Sequence, residues 1–573
     1  MRTLDPAHAA ARAAGSDLSP PDTASPDTAD LTSSTSMRTT TPEPDVIEHP
    51  TTPSSKAANP VDTGLKTATL NPTTPKTTTR ERNSPASTPM PTASPAPVPE
   101  PSHSFEPASG MPTRPASRPA SLNHSAPSPA AYPYAPESGG VAARLYHAEH
   151  GGQPPFMDLA AQRPEASSYP DVEAIPLPYP PRARTGFRAH TPEGIGDLLA
   201  LTYGVTRIDW GSVGIRAGRP LPSGGAAYPG ELYLAAEFGL CHYLPSAHAL
   251  ERLRTADLRR QIVDALEAHP PERPALILLL TSRHGANLPA FGGFGHKLQT
   301  LDTGVMAGQA ISLIDAAGAE VGVHTRFDEA KLNRMLGLDP RIESVRAVIT
   351  AGLGRDEPVP VPAFSTDPGA NQAGIPRRIM ARHTAADGFE AVSVPLQRIL
   401  EILDEAASEI PSDIRAGHGA EYATIDLYCV ANRVDGLAPA CYRRSTATSA
   451  LVKVRETADP KSLFPAGGDA ELAHFQAACA LMLVGDYEHG YRVHGDRWYR
   501  MLNLQAGILA QRIGLAATGL GLGSMLRCDY QSKVADRLIH AAPGRTVLVT
   551  MLIGLERGVG KPGHRLLLGG YGS

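Results

Sequence analysis

The chain has 573 residues, too many for one hydrophobic core, and a formal net charge of −5, with no basic stripe to suit nucleic acid. Its five cysteines (Cys241, Cys429, Cys441, Cys479 and Cys528) are scattered without a CxxC pair. That argues against a disulfide framework or a zinc site and fits a reducing, cytoplasmic compartment. No apolar signal core and no apolar run of about twenty residues occurs, so nothing points to a membrane.

Residues 1–138 are dominated by Pro, Ser, Thr and Ala, as in "STPMPTASPAPVPEPSHS" (87–104). Such a segment buries too little apolar surface to offset its chain entropy, so a disordered tail is expected. Order is expected from "VAARLYHAEHGG" (141–152) onward, followed by the proline-set connector "YPDVEAIPLPYPP" (169–181). "TPEGIGDLLALTYGV" (191–205) reads as a helix, opened by Thr191, Pro192 and Glu193. "GELYLAAEF" (230–238) and "LCHYLPSAHALERL" (240–253) read as strands of a hairpin. "PALILLLTSR" (274–283) is a buried strand, "DTGVMAGQAISLIDAAGAEVGV" (302–323) a small-residue helix, and "SVRAVITAGLG" (344–354) a second buried strand. A Pro/Gly linker is expected over residues 356–375.

The same order of segments then returns. "LYLAAEF" (232–238) is matched by "LYCVANR" (427–433), and "HALERLRTAD" (248–257) by "SALVKVRETAD" (449–459). "TGVMAGQAISL" (303–313) is matched by "AGILAQRIGLA" (506–516), "GVHTRFD" (322–328) by "GSMLRCD" (523–529), and "VRAVITAGLG" (345–354) by "TVLVTMLIGLERG" (546–558). The offset stays near roughly 200 residues, the size of one domain, so the chain reads as a duplicated α+β unit. Two such copies are expected to pack like isologous subunits. The expected division is a tail over 1–138, a first domain over 139–355, a linker over 356–375 and a second domain over 376–573.

The stretch "RPLPSGGAAYPGELYL" (219–234), followed by "GLCHYLPSAHALERL" (239–253), resembles the SagB-type azoline dehydrogenases of the nitroreductase superfamily. So do "LYHAEHGG" (145–152), "IPLP" (175–178) and "YRVHGDRWYR" (491–500). The resemblance covers roughly residues 141–573. It implies two tandem nitroreductase-like α+β domains in an intrachain pseudo-dimer, with FMN as cofactor. It implies oxidation of thiazoline or oxazoline rings to thiazoles or oxazoles on a modified precursor peptide, as in thiopeptide-type pathways. A precursor peptide and a cyclodehydratase are the implied partners.

By the same resemblance, Pro222, Ser223, Gly224 and Gly225 form the turn along one edge of the flavin. A planar tricycle needs close backbone approach, which Cβ atoms obstruct. A plain β-turn without a ligand is the alternative for these four residues taken alone. The equivalent stretch of half two, "GHGAEYATIDLY" (417–428), has His418 in the serine position. Half two instead keeps the glycine-rich segment "GLGLGSMLRCD" (519–529), with Gly521, Gly523 and Ser524, where half one has Glu320. For the phosphate, Arg378 and Arg382 in "PRRIMARH" (376–383) follow the family pattern, with Arg182 and Arg184 as the half-one counterparts. Lys561 and Arg565 are further phosphate candidates, with a solvated basic tail as the alternative. The losses are complementary, so one composite FMN site per chain is expected.

Oxidation removes a proton from the ring Cα and a hydride from Cβ, the hydride going to flavin N5. A base is therefore required. The family's Lys-Tyr pair is replaced here by Val493 and His494, which makes His494 the candidate base. Arg497 and Tyr499 are candidates for substrate or flavin contact, and Tyr228 for covering either. Cys528 reads as a small buried filler. The alternative activities are a flavin-dependent reductase of a peptide or small molecule, and a catalytically silent docking partner.

Overall fold

The computed structural model describes residues 46–47, 140–151, 167–178, 191–211, 214–352, 374–415, 425–456, 473–530, 532–558 and 565–567. All of them belong to one compact unit, Val46–Ser573. The expected linker lies almost wholly outside them, as does the expected tail apart from Val46–Ile47. Those two residues pair with Val452 and Leu451 at the edge of a sheet, so the tail region holds one short strand that its composition gives no reason to expect.

Two seven-stranded sheets form the frame. The first runs in the order Glu173–Pro176, Ala249–Arg254, Gly239–Leu244, Gly230–Ala236, Leu276–Arg283, Glu343–Ala351, Val321–His324. The second runs Val46–Ile47, Leu451–Arg455, Ala440–Arg444, Asp426–Ala431, Cys479–Asp486, Arg545–Gly554, Gly523–Arg527. The order of connections is the same in both, and every neighbouring pair is antiparallel. Corresponding elements begin at residues 276 and 479, 321 and 523, and 343 and 545. The central strands are mostly apolar and are buried over all of their length but Arg283, as expected of strands covered on both faces.

Each sheet is followed into one long helix, Gly295–Ala316 or Arg497–Gly519, and both are buried almost all round. They cross each other at glycines. A Cβ on Gly304 would lie 2.1 Å from the Leu504 carbonyl oxygen, and one on Gly507 would lie 2.3 Å from that of Leu301. Gln511 donates to the Gln309 side chain farther along the same crossing. The first helix begins earlier than its small-residue run suggests, taking in "GHKLQTL", and it stops before "VGV". Gly318 at φ 68° turns the chain, and Val321–His324 joins the sheet edge instead.

The helix Pro192–Tyr203 starts where its capping signal lies, with the Gly194 N–H donating to Thr191 Oγ1 at 3.1 Å. A third sheet joins the halves: Arg565–Leu567 pairs antiparallel with Arg207–Gly211, which pairs with Gly214–Gly218. Among the described residues no helix is long and apolar enough to cross a membrane.

Gly304→Val places a branched side chain against backbone at the helix crossing. It is expected to cost about 3 kcal/mol or more. Denaturant unfolding reads this, and an unchanged midpoint would show that the crossing is not tight.

Candidate functional site

The turn at 222–228 is backbone held in an unusual shape. Gly225, Ala226 and Tyr228 have φ of 57°, 52° and 47°, a region that L-residues with side chains enter at a cost. Gly225 and Ala226 are exposed. Under the turn lies the first long helix: a Cβ on Gly224 would be 3.1 Å from Leu298 Cδ1. Asp302, one helical turn after Leu298, receives the turn's donors. Ser223 Oγ donates to Asp302 Oδ2 at 2.5 Å, and the Gly224 N–H reaches Oδ1 at 3.3 Å. The Tyr228 N–H in turn donates to Ser223 Oγ at 2.9 Å. Desolvation pushes the Asp302 carboxyl up to about 7, against the two hydrogen bonds that favour its charge. The serine expected to meet a ligand directly is thus bonded within the protein.

Arginines gather on the same loop. The Arg219 guanidinium lies 4.1 Å from the Tyr203 ring centre and 5.2 Å from that of Tyr228, a cation–π arrangement. It also donates to the Tyr203 carbonyl. From the second half, Arg382 is 3% exposed and donates its Nε–H to the Pro220 carbonyl at 3.0 Å. Arg382 Cδ and Ser524 Oγ both border Gly514, at 3.9 and 3.5 Å from where its Cβ would stand. The Ser524 carbonyl accepts from the Ala385 N–H at 3.1 Å. Arg382 and Ser524 of half two therefore meet at Gly514, and Arg382 touches the half-one loop that leads into Pro222.

The other expected contacts divide. Arg378 turns toward Glu405, at 3.3 Å, and packs under Gly519. Gly521 has φ 70° and open space where a Cβ would stand. Gly523 is pressed against Glu556, whose carboxylate pairs with His383 at 2.7 Å. Arg565 stands opposite Asp209 in strand register. Lys561, His418, Arg182 and Arg184 lie outside the described residues.

His494 ends the helix Tyr487–His494 and stacks on Trp498, with ring centres 5.3 Å apart. Its Nε2 is buried without a hydrogen-bond partner. Burial, then Arg326 and Arg497, hold its pKa below the ordinary 6.5. Its acidic neighbours are Glu267 and Asp413, and Arg497 pairs with Glu267 at 2.5 Å. This group borders the end of the first sheet's edge strand, where Asp413 binds the N–H groups of Thr325 and Arg326. Tyr499 is sunk in an aromatic cluster, stacked on Tyr487 at 5.0 Å and edge-on to Tyr146 at 5.2 Å. Burial raises its phenol far above the ordinary value. Cys528 is buried, its thiol pushed up to about 12, as a filler would be.

Sequence reading missed Asp302 and Lys297. Lys297 is 1% exposed, with Nζ 5.7 Å from both the Phe294 and Tyr530 ring centres. Burial lowers its pKa. The available signal was two charged residues in "GHKLQTLDTG", at the head of a helix otherwise fit only for burial.

A crystal structure from Anabaena variabilis, of a protein assigned as a nitroreductase, superposes with a TM-score of 0.61 at 19% identity. It covers 72% of this chain and 99% of its own. The chain has a nitroreductase-like fold. This nitroreductase-like chain is also 35% identical over 63 residues to a protein of Methanocaldococcus jannaschii assigned as a nitroreductase, 11% of this chain. It spans only 32% of that relative's length. A chain from the Escherichia coli microcin synthetase McbBCD complex with truncated pro-MccB17 bound matches with a TM-score of 0.26 at 21% identity, over 39% of this chain and 96% of its own. No family model matches the chain.

In the nitroreductase-like frame, His494 is expected to titrate below pH 6.5 when followed by NMR. Arg326→Gln removes one of the cations that depress it, so the titration should move upward. An unmoved midpoint would place Arg326 too far away to act.

Proposed function

We propose that the chain is an FMN-dependent dehydrogenase that oxidises thiazoline or oxazoline rings on a modified precursor peptide. In this reading the two halves form an intrachain pseudo-dimer with one composite cofactor site, and a cyclodehydratase supplies the azolines. The observation that carries it is the contact between Arg382 Nε and the Pro220 carbonyl. It sets a half-two arginine on the loop that leads into the half-one Pro222–Gly225 turn, with Ser524 alongside.

The residues present fit a flavin nucleotide in two respects. The turn offers bare, exposed backbone at Gly225, where a flat ring needs close approach. Buried Arg382 and the nearby Arg219 supply guanidinium groups, whose planar forks suit phosphate. When bound, FMN supplies the two-electron acceptor for the hydride lost from the azoline Cβ. Pro222, Gly224 and Gly225 would line the ring edge, and Arg382 with Ser524 and Gly521 the opposite wall. Arg378, tied to Glu405, would hold Arg382 and its helix in place. Lys561 and Arg565 stay phosphate candidates of the same reading.

The proton lost from Cα needs a base. His494 has the chemistry for it, an imidazole of lowered pKa with an unpartnered Nε2. It borders the first sheet's edge strand and not the second, where Arg382 and Ser524 meet, so it would serve only a substrate that spans both edges. Arg497 beside it, paired with Glu267, would orient the substrate, whereas Tyr499 is buried among Tyr146 and Tyr487 and would act only by packing. His494→Gln is expected to lower turnover by about 10²-fold or more with FMN content unchanged. Unchanged turnover would remove His494 from the mechanism.

Purified protein is expected to be yellow and to release about one FMN per chain, the count for a single composite site. Arg382→Ala should reduce that occupancy. Incubation with an azoline-bearing peptide should lower its mass by about two units per ring. Colourless protein that takes up no added FMN would overturn the reading in favour of a docking partner. A gain of two mass units would make it a reductase.

A further inference from the structure

We propose that Asp302 is the positioning residue of the cofactor turn, a clamp that holds Pro222–Tyr228 in its strained shape so that the bare edge is ready for the flavin. The proposal rests on the FMN reading above and deepens it.

The geometry is specific. One carboxylate takes two donors from consecutive residues, Ser223 Oγ at 2.5 Å and the Gly224 N–H at 3.3 Å. Ser223 relays the hold to the far end of the turn by accepting the Tyr228 N–H. Three residues within that span, two of them not glycine, sit at positive φ. Such conformations persist only where surrounding contacts over-determine them. Leu298, on the same helix face as Asp302, closes the space beneath Gly224. The turn is therefore fixed to the first long helix.

A carboxylate placed there is costly. Burial raises its pKa to about 7 from an ordinary value near 3.8. The folded chain holds this proton up to about pH 7, so the associated stability is present at low pH and lost as pH rises through 7. The clamp has the opposite dependence, because the ionised carboxylate is the stronger acceptor. The other charged and titratable groups facing this region are Tyr203, its neighbours Arg219, Glu231 and Arg283, Cys528 of half two, and Lys297 at the head of the first long helix, whose pKa burial lowers. Burial raises the Tyr203 phenol and the Cys528 thiol.

Asp302→Asn keeps the shape and removes the charge. At pH 8 the apoprotein variant is expected to melt higher than the wild type while binding FMN about tenfold more weakly, read by fluorescence quenching. At pH 5.5 both differences should shrink. Taking the ratio of variant to wild-type affinity cancels the titration of the FMN phosphate itself. Ser223→Ala breaks the clamp from the turn side, and the double variant should lose no more affinity than either single one. A melting change alone would mark Asp302 as merely structural. Equal FMN affinity of variant and wild type at pH 8, or a ratio that does not vary with pH, overturns the proposal. A wild-type protein that binds no FMN at any pH overturns the FMN reading, and the clamp's purpose with it.

Discussion

The crossing of the two long helices is the constraint on which the rest depends. Gly304 and Gly507 bring two helix backbones together at a distance no side chain permits. That approach fixes the halves against each other through rigid elements, not loops. The sheets, the Arg382 segment and the 222–228 turn all hang from these helices. A shift of an ångström at the crossing would separate Arg382 from Pro220, so packing at the core and geometry at the site are one problem.

The two sides of the molecule have diverged in how they use that frame. Beside the second sheet's edge strand, Arg382 reaches the half-one loop at Pro220, and Ser524 borders Gly514 next to it. Beside the first sheet's edge strand, the half-two segment makes direct bonds instead. The Val323 N–H donates to the Pro411 carbonyl at 2.7 Å, and Asp413 binds Thr325 and Arg326.

Much of this was legible before any coordinates. The repeat showed itself in segments such as "GVHTRFD" and "GSMLRCD", because strand and helix periodicities constrain residues at fixed spacing. The turn at Pro222–Gly225 was readable because glycine and proline restrict backbone locally. The role of Ser223 was not. Its partner, Asp302, is far away in sequence and close only because a helix passes beneath the turn. The helix start at Gly295 was missed for a similar reason, since "GHKLQTL" has polar residues that only tertiary burial explains. The two-residue strand Val46–Ile47 has no local signal at all. It is defined by the free sheet edge it meets.

The strand Arg565–Leu567 closes a small sheet on Arg207–Gly211, from the other half of the polypeptide. Pairings of such long sequence separation form late, because the loop between the partners must close first. During synthesis the first half therefore leaves the ribosome with that sheet one strand short. An unpaired edge invites wrong partners. The molecule carries an interval of vulnerability set by translation speed, which ends only when Arg565–Leu567 have emerged.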